Sequence, residues 1–364
     1  MRAIGFQQPG SIVGSEPAFS SRRYANGNRP EALVDIELPT PTPTGRDLLV
    51  EVKAISVNPV DVKVRLSAKP EAGNWKVLGW DAAGIVTAVG SEVTLFQPGD
   101  EVFYAGAIGR SGTNAEYHLV DERIVGTKPK TLDWAAAAAL PLTSITAWEM
   151  LFDRLDVNKA VPGAASAILI IGGAGGVGSI LILRGYANAI QIARALTDLT
   201  VIATASRSET VAWVKEMGAH HTIDHTLPLA EQVAKLGLGA PAFVFSTTQT
   251  DLHLDEIAAL IAPQGRLGLI DDPAVLDVNR FKRKSVSVHW ELMFTRSIFS
   301  TADIAEQGNL LNEVSRLVDE GVLRTTMTEQ YAPINAANLQ QVHMLIESGK
   351  ARGKIVLAGF DAAE

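Results

Sequence analysis

The residues best suited to chemistry in this sequence form a glycine-rich run at Gly172–Gly178, GGAGGVG. It follows the apolar run Ala167–Ile171 and precedes a helical pattern. Within it, the spacing GxGxxG permits a tight turn, close approach of the backbone to a pyrophosphate, and close packing of a helix on a strand. The N-terminus of the following helix would add N–H donors and partial positive charge. The alternative is a glycine-rich turn that binds no ligand. We predict a dinucleotide site contacted by Gly173, Gly175, Gly176, Val177 and Gly178.

The next predicted strand, Leu199–Ala203, should end beside the ribose of such a cofactor. Sites that select NAD place Asp or Glu there, but here the stretch from Ala203 to Ser208 contains no acidic residue, and the first one after the strand is Glu209. Ser206 and Arg207 can instead donate hydrogen bonds to a 2′-phosphate, Arg through its planar guanidinium. The alternative is a solvated surface arginine. We therefore predict NADPH as the cofactor.

One spacing in this region is unusual. Ser206 follows Gly173 by 33 residues, whereas the ribose-reading position usually follows by roughly 20. The excess falls near Leu181–Asn188, where Gly185 interrupts the helical pattern. We predict a bulge, a protruding loop or a lengthened helix at Leu181–Asn188.

Composition excludes several other chemistries. The 364 residues contain no cysteine and carry a formal net charge of -8. The lack of cysteine excludes disulfides, thiolate-bound zinc, iron–sulfur clusters and a cysteine nucleophile. The acidic balance argues against nucleic acid as a partner, because its phosphates call for a basic face.

Length and hydropathy predict the general class of protein. At roughly 100–200 residues per domain, the chain should form two domains, or three. We see no N-terminal apolar run of signal-peptide type and expect no apolar stretch of 18 residues. We therefore predict a soluble cytoplasmic protein that binds a small molecule and does not contact membranes.

The first third of the chain has the pattern of short strands. Leu48–Val57 alternates apolar and polar residues, and Gly84–Val89 and Asp100–Phe103 are similar. Turn residues separate these segments, and Glu37–Gly45 contains three prolines typical of an extended connector. This pattern predicts an antiparallel β barrel or sandwich.

The pattern changes near residue 131 to alternating strands and helices. The predicted strands are the continuous apolar runs typical of a parallel sheet covered on both faces: Ala167–Ile171, Leu199–Ala203, Ala242–Phe245 and Arg266–Ile270. The predicted helices are Leu142–Leu151, Ser208–Met217, Leu254–Ile261, Asn309–Glu320 and Ala336–Ser348. We predict a doubly wound α/β domain, followed by a C-terminal strand, Gly353–Leu357, that returns to the first domain.

Several motifs, in order along nearly the whole chain, resemble the medium-chain dehydrogenase/reductase superfamily. They are Asn58-Pro59-Val60-Asp61, Gly79-Trp80-Asp81-Ala82-Ala83-Gly84, Gly99-Asp100-Glu101-Val102, Ala115-Glu116-Tyr117, Ala138-Ala139-Leu140-Pro141-Leu142-Thr143 and the glycine turn. Within the superfamily they look most similar to the zinc-free quinone oxidoreductase branch, whose members are often labelled zinc-type alcohol dehydrogenase-like.

The resemblance implies an α/β protein with a GroES-like β-barrel catalytic domain and a doubly wound Rossmann domain, with a cleft between them. We expect residues 1–135 with 300–364 to form the first domain and 136–299 the second. The resemblance also implies a homodimer built from the edge strands of the Rossmann sheets. Ser285–Val288 with His289–Glu291 is the expected edge strand.

The departures from the zinc alcohol dehydrogenases of this superfamily bear on the mechanism. Where those enzymes carry a zinc-binding Cys, this sequence has Asn58, and where they carry His then Glu, it has Trp80 then Asp81. A catalytic zinc would therefore lack its ligands, and we predict no metal site. A zinc alcohol dehydrogenase that uses other histidines is the alternative.

Without a metal to stabilise an alkoxide, the resemblance implies hydride transfer from NADPH to a quinone or an α,β-unsaturated carbonyl compound. An NADPH-binding protein without turnover is a further alternative. Asn58 is our candidate donor to the developing oxyanion, although it could equally form a turn before Pro59. Tyr104 is a candidate proton donor, Asp61 and Asp81 are expected to be structural, and water could protonate the product.

The resemblance also suggests further cofactor contacts. Thr143 would begin a helix that faces the nicotinamide, and Gly268, Leu269 and Ile270 would run beside its amide. His220 could approach the adenosine or phosphate end of the cofactor, or form a surface pair with His221. The remaining histidines are assigned to packing or surface.

Overall fold

The computed structural model describes residues 1–12, 32–177 and 188–360. The chain forms two compact units. The first unit contains Met1–Leu142, Phe294–Asp319 and Met327–Glu364, and the second contains Thr143–Met293 and Glu320–Thr326. The observed boundaries therefore differ from the predicted ones by a few residues. In addition, Glu320–Thr326, expected in the first domain, lies in the second unit.

The amino-terminal part of the first unit consists mainly of strands. They are β1 (Arg2–Phe6), β2 (Val34–Glu37), β3 (Asp47–Val57), β4 (Lys76–Val77), β5 (Asp81–Val89), β6 (Glu101–Ala105), β7 (Tyr117–Asp121) and β8 (Val125–Thr127). Helix α1 (Pro59–Ser67) follows β3, and α2 (Trp134–Ala138) follows β8. Proline at the first position of α1 suits a helix start, where its missing N–H costs no hydrogen bond.

Helix α3 (Pro141–Trp148) continues into a π-helical segment, Glu149–Arg154, and leads into the parallel sheet. The strands of this sheet are β9 (Ala165–Ile171), β10 (Thr200–Thr204), β11 (His221–Ile223), β12 (Pro241–Ser246), β13 (Arg266–Leu269) and β14 (Ser287–Trp290). Its helices are α4 (Ala193–Leu196), α5 (Ser208–Glu216), α6 (Leu229–Lys235) and α7 (Thr250–Leu260). A π-helical turn, Asn188–Ile192, precedes α4, and a 3₁₀ helix, Val278–Lys284, precedes β14.

The strand order of this sheet is β11-β10-β9-β12-β13-β14, with all pairs parallel. This confirms the predicted doubly wound fold. Ile168, Leu169, Ile170 and Ile171 are at most 1% exposed, as expected for a strand covered on both faces. Because the strands are parallel, their carboxyl ends share one edge, which is where ligands bind in such sheets.

The C-terminal part adds α8 (Thr295–Phe299), α9 (Glu306–Asp319), β15 (Met327–Tyr331), α10 (Ala336–Glu347) and β16 (Lys354–Ala358). Strand β16 pairs antiparallel with β3, with Ile355 opposite Val57. This pairing confirms the predicted return of the C-terminus to the first domain. The resulting sheet has the order β15-β16-β3-β5-β6-β8, and β7 also pairs with β3.

The expectation that no apolar stretch of 18 residues exists is wrong. Trp134–Arg154 is long and apolar enough to qualify by length and composition, with a mean hydropathy of 1.3. However, 89% of its most apolar window is buried inside the protein, as in the core helix of a folded domain. The predicted bulge or loop at Leu181–Asn188 lies outside the described residues, apart from the backbone of Asn188, and Gly178 also lies outside them.

Candidate functional site

The glycine run forms a tight turn directly after β9. Gly172 has a φ of +79°, a backbone conformation that residues other than glycine rarely adopt. Its N–H donates to Oγ1 of Thr204 at 2.9 Å, and Gly175 N–H donates to the Gly172 carbonyl at 3.1 Å. A Cβ on Gly172 would lie 2.3 Å from Oγ1 of Thr247. Gly172 therefore makes the sharp turn, one residue before the first glycine of the GxGxxG spacing.

Gly173 and Gly175 face different surroundings. A Cβ on Gly173 would lie 3.0 Å from Cβ of Ala203 and 3.3 Å from the Thr204 carbonyl oxygen, so this glycine allows the turn to lie close to β10. A Cβ on Gly175 would meet only the Gly172 carbonyl, at 3.5 Å, within 4 Å among the described residues. Gly175 is exposed, and Gly176 and Val177 beside it are half-buried. An open, glycine-lined face of this kind fits a dinucleotide pyrophosphate.

Ser206 and Arg207 lie just beyond the carboxyl end of β10, where the ribose-reading position was predicted. Arg207 is the N-cap residue of α5, where its backbone N–H donates to Oγ1 of Thr210, and its Nε lies 3.4 Å from Oε1 of Glu209. Their side chains are 45% and 53% exposed, so this ion pair is weak and would yield to a phosphate. Ser206 Oγ lies 3.3 Å from Nε2 of His225. The structure thus brings Ser206 and Arg207 to the same sheet edge as the glycine turn.

His220 lies at the amino ends of the strands, opposite to the carboxyl ends that carry the glycine turn. Its predicted contact with the cofactor is therefore wrong. Its N–H donates to the Val201 carbonyl at 2.9 Å, and its Nδ1 accepts from Val201 N–H at 2.8 Å. Val201 lies near the amino end of β10, whereas Ser206 follows its carboxyl end. Burial and the neighbouring Arg194 lower the pKa of His220, which favours a neutral ring.

The segment predicted beside the nicotinamide amide is the end of β13. Leu269 is fully buried, and Ile270 N–H donates to the Ser246 carbonyl at 3.3 Å. A Cβ on Gly268 would lie 2.1 Å from Sδ of Met150, so this glycine makes room for the π-helical segment. Thr143 is buried within α3. Cofactor contacts for Thr143, Leu269 and Ile270 remain predictions, whereas the surroundings of Gly268 indicate a packing role.

A second polar cluster lies buried in the first unit around Asp81. Its Oδ2 accepts from Ser56 Oγ at 2.8 Å, from Asn58 Nδ2 at 2.8 Å and from Lys354 Nζ at 2.9 Å. Its Oδ1 accepts from the Leu142 N–H at 2.7 Å. Lys354 also donates to Oδ1 of Asn58 and to the Val57 carbonyl. The carboxylate and the ammonium thus satisfy each other, as buried charges must.

Asn58 is a correction to the predicted catalytic set. Its carboxamide oxygen accepts from Lys354 and its amide nitrogen donates to Asp81, and the residue is 1% exposed. Its backbone N–H donates to Oδ2 of Asp61 at 2.8 Å, which caps α1. This arrangement favours the structural alternative over a donor to substrate. The same hydrogen bonds support the predicted structural roles of Asp61 and Asp81.

Asp61 has an unusual proton affinity. Burial raises its pKa to about 7, against the opposing effects of the Asn58 N–H and the charge of Lys354. At neutral pH the cluster therefore contains one carboxyl poised between its two charge states, next to the ion pair of Asp81 and Lys354.

The surroundings of Asn58, Trp80 and Asp81 show whether these three residues fit a zinc ion. Two of the positions that correspond to zinc ligands, Asn58 and Asp81, both bind the ammonium of Lys354. The third, Trp80, is 1% exposed and packs edge-on against Phe294. Across the described residues, no group of three or more His, Asp or Glu side chains is arranged to hold a metal. These residues do not fit zinc, because a fixed cation already satisfies the acceptors.

Tyr104 is a second correction, because its hydroxyl is committed inside the protein. His118 Nε2 donates to the Ser111 carbonyl at 2.9 Å, which leaves Nδ1 to accept from the Tyr104 hydroxyl at 3.1 Å. The two rings stack at 5.5 Å, and Tyr104 is fully buried. Burial raises the pKa of Tyr104 and lowers that of His118 to about 4. A buried phenol already donating to a neutral imidazole does not fit the predicted proton donor.

Sequence reasoning missed Ser56, Lys354, Thr204 and His225 of these clusters. Lys354 had a signal, since it is a charged residue at the start of an apolar strand. Thr204, which accepts from the Gly172 N–H, had none beyond its place at the end of β10. His225 had been assigned to packing or surface, although it follows β11 much as Ser206 follows β10.

Comparison with known proteins agrees with this architecture. Residues 44–130 match the alcohol dehydrogenase GroES-like domain, and residues 217–357 match the zinc-binding dehydrogenase family. A zinc-type alcohol dehydrogenase-like protein of Staphylococcus aureus is 40% identical over 322 residues, covering 87% of this chain and 92% of that protein.

Two solved structures extend the comparison. A putative zinc-dependent alcohol dehydrogenase from Rhizobium etli is 66% identical, with a TM-score of 0.91 over 100% of this chain and 99% of that one. A quinone oxidoreductase from Pseudomonas syringae is 25% identical, with a TM-score of 0.77 over 98% and 99% of the two chains. With its GroES-like and Rossmann domains, the chain belongs to the medium-chain dehydrogenase/reductase superfamily of oxidoreductases.

Proposed function

We propose that this protein is an NADPH-dependent reductase that transfers hydride to quinones or α,β-unsaturated carbonyl compounds without zinc. The observation that carries this proposal is the position of Lys354, whose ammonium binds both Asn58 and Asp81. A lysine held by these two side chains occupies the acceptors that a catalytic metal would need at these two positions.

The choice of acceptor follows from the poor fit of Asn58, Trp80 and Asp81 to a Lewis-acidic metal. A metal stabilises the alkoxide formed from a simple alcohol or ketone, and among the described residues no group of three or more His, Asp or Glu side chains could hold one. Quinones and enones need less help, because the anion formed after hydride addition is delocalised. The similarity to a quinone oxidoreductase from Pseudomonas syringae supports this acceptor class.

The residues of the second unit would hold the cofactor. The turn at Gly173–Val177 offers the open face for the pyrophosphate, and Ser206 and Arg207 lie where a 2′-phosphate would be read. When bound, reduced nicotinamide supplies the hydride. The chain orients the cofactor, water gives the proton, and a quinone thereby becomes a hydroquinone.

The test is NADPH oxidation followed at 340 nm, with protein dialysed against a chelator. We expect turnover with an ortho-quinone or a simple enone, unchanged by dialysis, and none with simple ketones. Activity on alcohols that disappears on dialysis and returns with zinc would support a zinc alcohol dehydrogenase instead. NADPH binding without oxidation by any acceptor would support the non-catalytic alternative.

A pair of variants ties this activity to the glycine turn. Gly175→Val should lower quinone reduction by at least tenfold, because its side chain would fill the pyrophosphate face. Gly109→Val is the matched control, because a Cβ on Gly109 would likewise meet no atom closer than 3.5 Å, Gly109 has no positive φ, and it lies in the first unit. Equal loss in both variants would contradict the assignment.

A further inference from the structure

A buried ion pair joins helices α1 and α10 in the first unit. Nη2 of Arg65, near the end of α1, lies 2.6 Å from Oε1 of Glu347 on α10, and the two side chains are 0% and 1% exposed. Burial raises the pKa of Glu347, and the charge of Arg65 opposes this effect. Among the described residues, Nε and Nη1 of Arg65 have no hydrogen-bond partner. The contact therefore depends on one carboxylate matching one guanidinium where water is excluded.

His343 faces the same contact, one turn before Glu347. Residues four apart lie on one face of a helix, and α10 packs against α1. His343 is 0% exposed, and neither ring nitrogen has a hydrogen-bond partner within the part of the chain that the structure describes. A buried polar group of this kind is costly, because it has lost its hydrogen bonds to water. It calls for an explanation other than packing, which an apolar side chain would serve better.

The charges around His343 come from α10 itself and from the elements packed against it, which are mainly α1, β2 and β16. The charged residues of these four elements are Glu347 of α10, Asp61, Lys63 and Arg65 of α1, Asp35 and Glu37 of β2, and Lys354 of β16. Of these, Arg65 acts on His343, whose pKa is lowered first by burial and then by this guanidinium. The neutral ring is therefore the form that fits the closed contact.

A proton on His343 would place a second positive charge in this contact. Glu347 can match one of the two cations, and burial keeps water from the other. Separation of α10 from α1 relieves this conflict, because water then solvates the imidazolium. The buried ring thus makes the contact sensitive to acid, whereas an apolar side chain at the same position would not.

The same two helices lead into the polar cluster around Asp81. Asn58 is the N-cap residue of α1, and Lys354 begins β16, the strand that follows α10. Lys354 Nζ donates to both Asn58 and Asp81. The pair of Arg65 and Glu347 therefore ties together, at the far end of α1, the two segments that Lys354 ties together at its start.

We propose that Arg65, Glu347 and His343 form an acid-sensitive latch, in which a proton on His343 releases α10 from α1. This proposal goes beyond the proposed function and does not depend on it, because all three residues act on the fold of the first unit. The pKa of His343 is lowered below 6.5 in the folded protein, so the opened contact binds the proton more readily than the closed one. The stability contributed by the neutral ring is therefore fully present above pH 6.5 and is lost as pH falls below it.

The experiment measures hydrogen–deuterium exchange of the α10 amides in the full chain between pH 5.0 and 7.5, corrected for intrinsic exchange. The variant His343→Phe fills the space of the ring but takes up no proton. We expect its α10 protection, divided by that of the wild type, to rise by up to about tenfold per pH unit below 6.5, because the open wild-type form binds one more proton. The titration of Glu347 and Asp61, which both proteins share, cancels in this ratio.

Two further variants separate the latch from other effects of pH. His221→Phe is the matched control, because it replaces a half-buried imidazole on β11 in the second unit and should keep the wild-type dependence of α10 on pH. In Arg65→Gln, Glu347 can match the imidazolium, so α10 should open at a lower pH than in the wild type. Protection of α7 in the second unit should be the same in all four proteins.

Three results would contradict the latch or part of it. A ratio of protection that is equal at pH 5.0 and 7.5 overturns the latch. Equal loss of protection in α7 and α10 of the wild type also overturns it, because the whole chain would then be unfolding. Opening of Arg65→Gln at the wild-type pH overturns the role of Arg65. If His343→Phe does not fold, as judged by circular dichroism, His343→Gln takes its place in the same measurement.

Discussion

Asp61 shows how burial of one carboxyl gives the protein a pH-dependent stability. Burial raises its pKa from 3.8 to about 7, so the folded state holds a proton that the unfolded state has released between these values. Its contribution to stability is fully present below pH 3.8 and is lost as pH rises through 7. The loss amounts to a few kcal/mol, at about 1.4 kcal/mol per pKa unit.

We expect Asp61→Asn to remove this dependence, because an amide keeps the shape and the hydrogen bond acceptor but does not ionise. Urea unfolding at pH 4.5 to 7.5 should show the variant gaining stability relative to wild type as pH rises. The exposed Asp198 offers a control, since Asp198→Asn should follow the wild-type curve. A constant difference between Asp61→Asn and wild type would show that Asp61 is ionised throughout.

At the scale of elements, Gly268 of β13 lies against Met150 of the π-helical segment Glu149–Arg154. Gly268 allows this contact, because a Cβ there would lie 2.1 Å from Sδ and 2.8 Å from Cε of Met150. We expect Gly268→Ala to lower the free energy of unfolding by about 1–3 kcal/mol, as overpacked cores generally do. Urea denaturation measures this loss.

A double-mutant cycle tests that cause directly. Met150→Ala opens space beside β13, so the double variant should be more stable than the sum of the two single effects indicates. NADPH affinity should change little in Gly268→Ala. If Gly268→Ala instead bound NADPH more weakly at unchanged stability, the result would support the predicted contact between Gly268 and the cofactor.

How well the elements could be predicted depended on whether their signals were local. Continuous apolar runs indicated β9 and β10 because both faces of a parallel strand are buried. Leu142–Leu151 was predicted as one helix, but it changes to π-helical geometry at Glu149, which residue spacing does not reveal. Helix α7 begins at Thr250, four residues before the predicted start. Asp271, distant in sequence, caps this first turn by accepting from the Thr250 N–H at 2.8 Å.

The same distinction separates the two polar clusters. The glycine turn was predictable because its function requires a short motif in a fixed context. The role of Lys354 was not, because it binds Asn58 across 296 residues of sequence. The hydrogen bond between the Tyr104 hydroxyl and Nδ1 of His118 could not be predicted either, because these residues meet only when β6 and β7 are folded.

At the scale of the whole molecule, β14 forms one edge of the parallel sheet and, among the described residues, pairs with β13 alone. Ser287 and Glu291 N–H groups donate inward, to the Gly265 and Leu269 carbonyls at 3.1 Å each. Since directions alternate along a strand, the N–H groups of Val288 and Trp290 point outward. The Trp290 side chain is also 50% exposed. An exposed edge of this kind favours pairing with another chain, and we expect two copies to pair there as a homodimer.

Trp290→Pro tests this expectation, because proline removes an outward N–H and leaves the inward ladder to β13 intact. We expect wild type to sediment as a dimer and Trp290→Pro as a monomer with a normal circular dichroism spectrum. Trp290→Ala, which keeps the N–H, should weaken the dimer less. Leu252→Ala removes a 70% exposed apolar side chain on α7 and should have no effect. A wild-type monomer, or a dimer that survives Trp290→Pro, would show that the edge of β14 does not carry the interface.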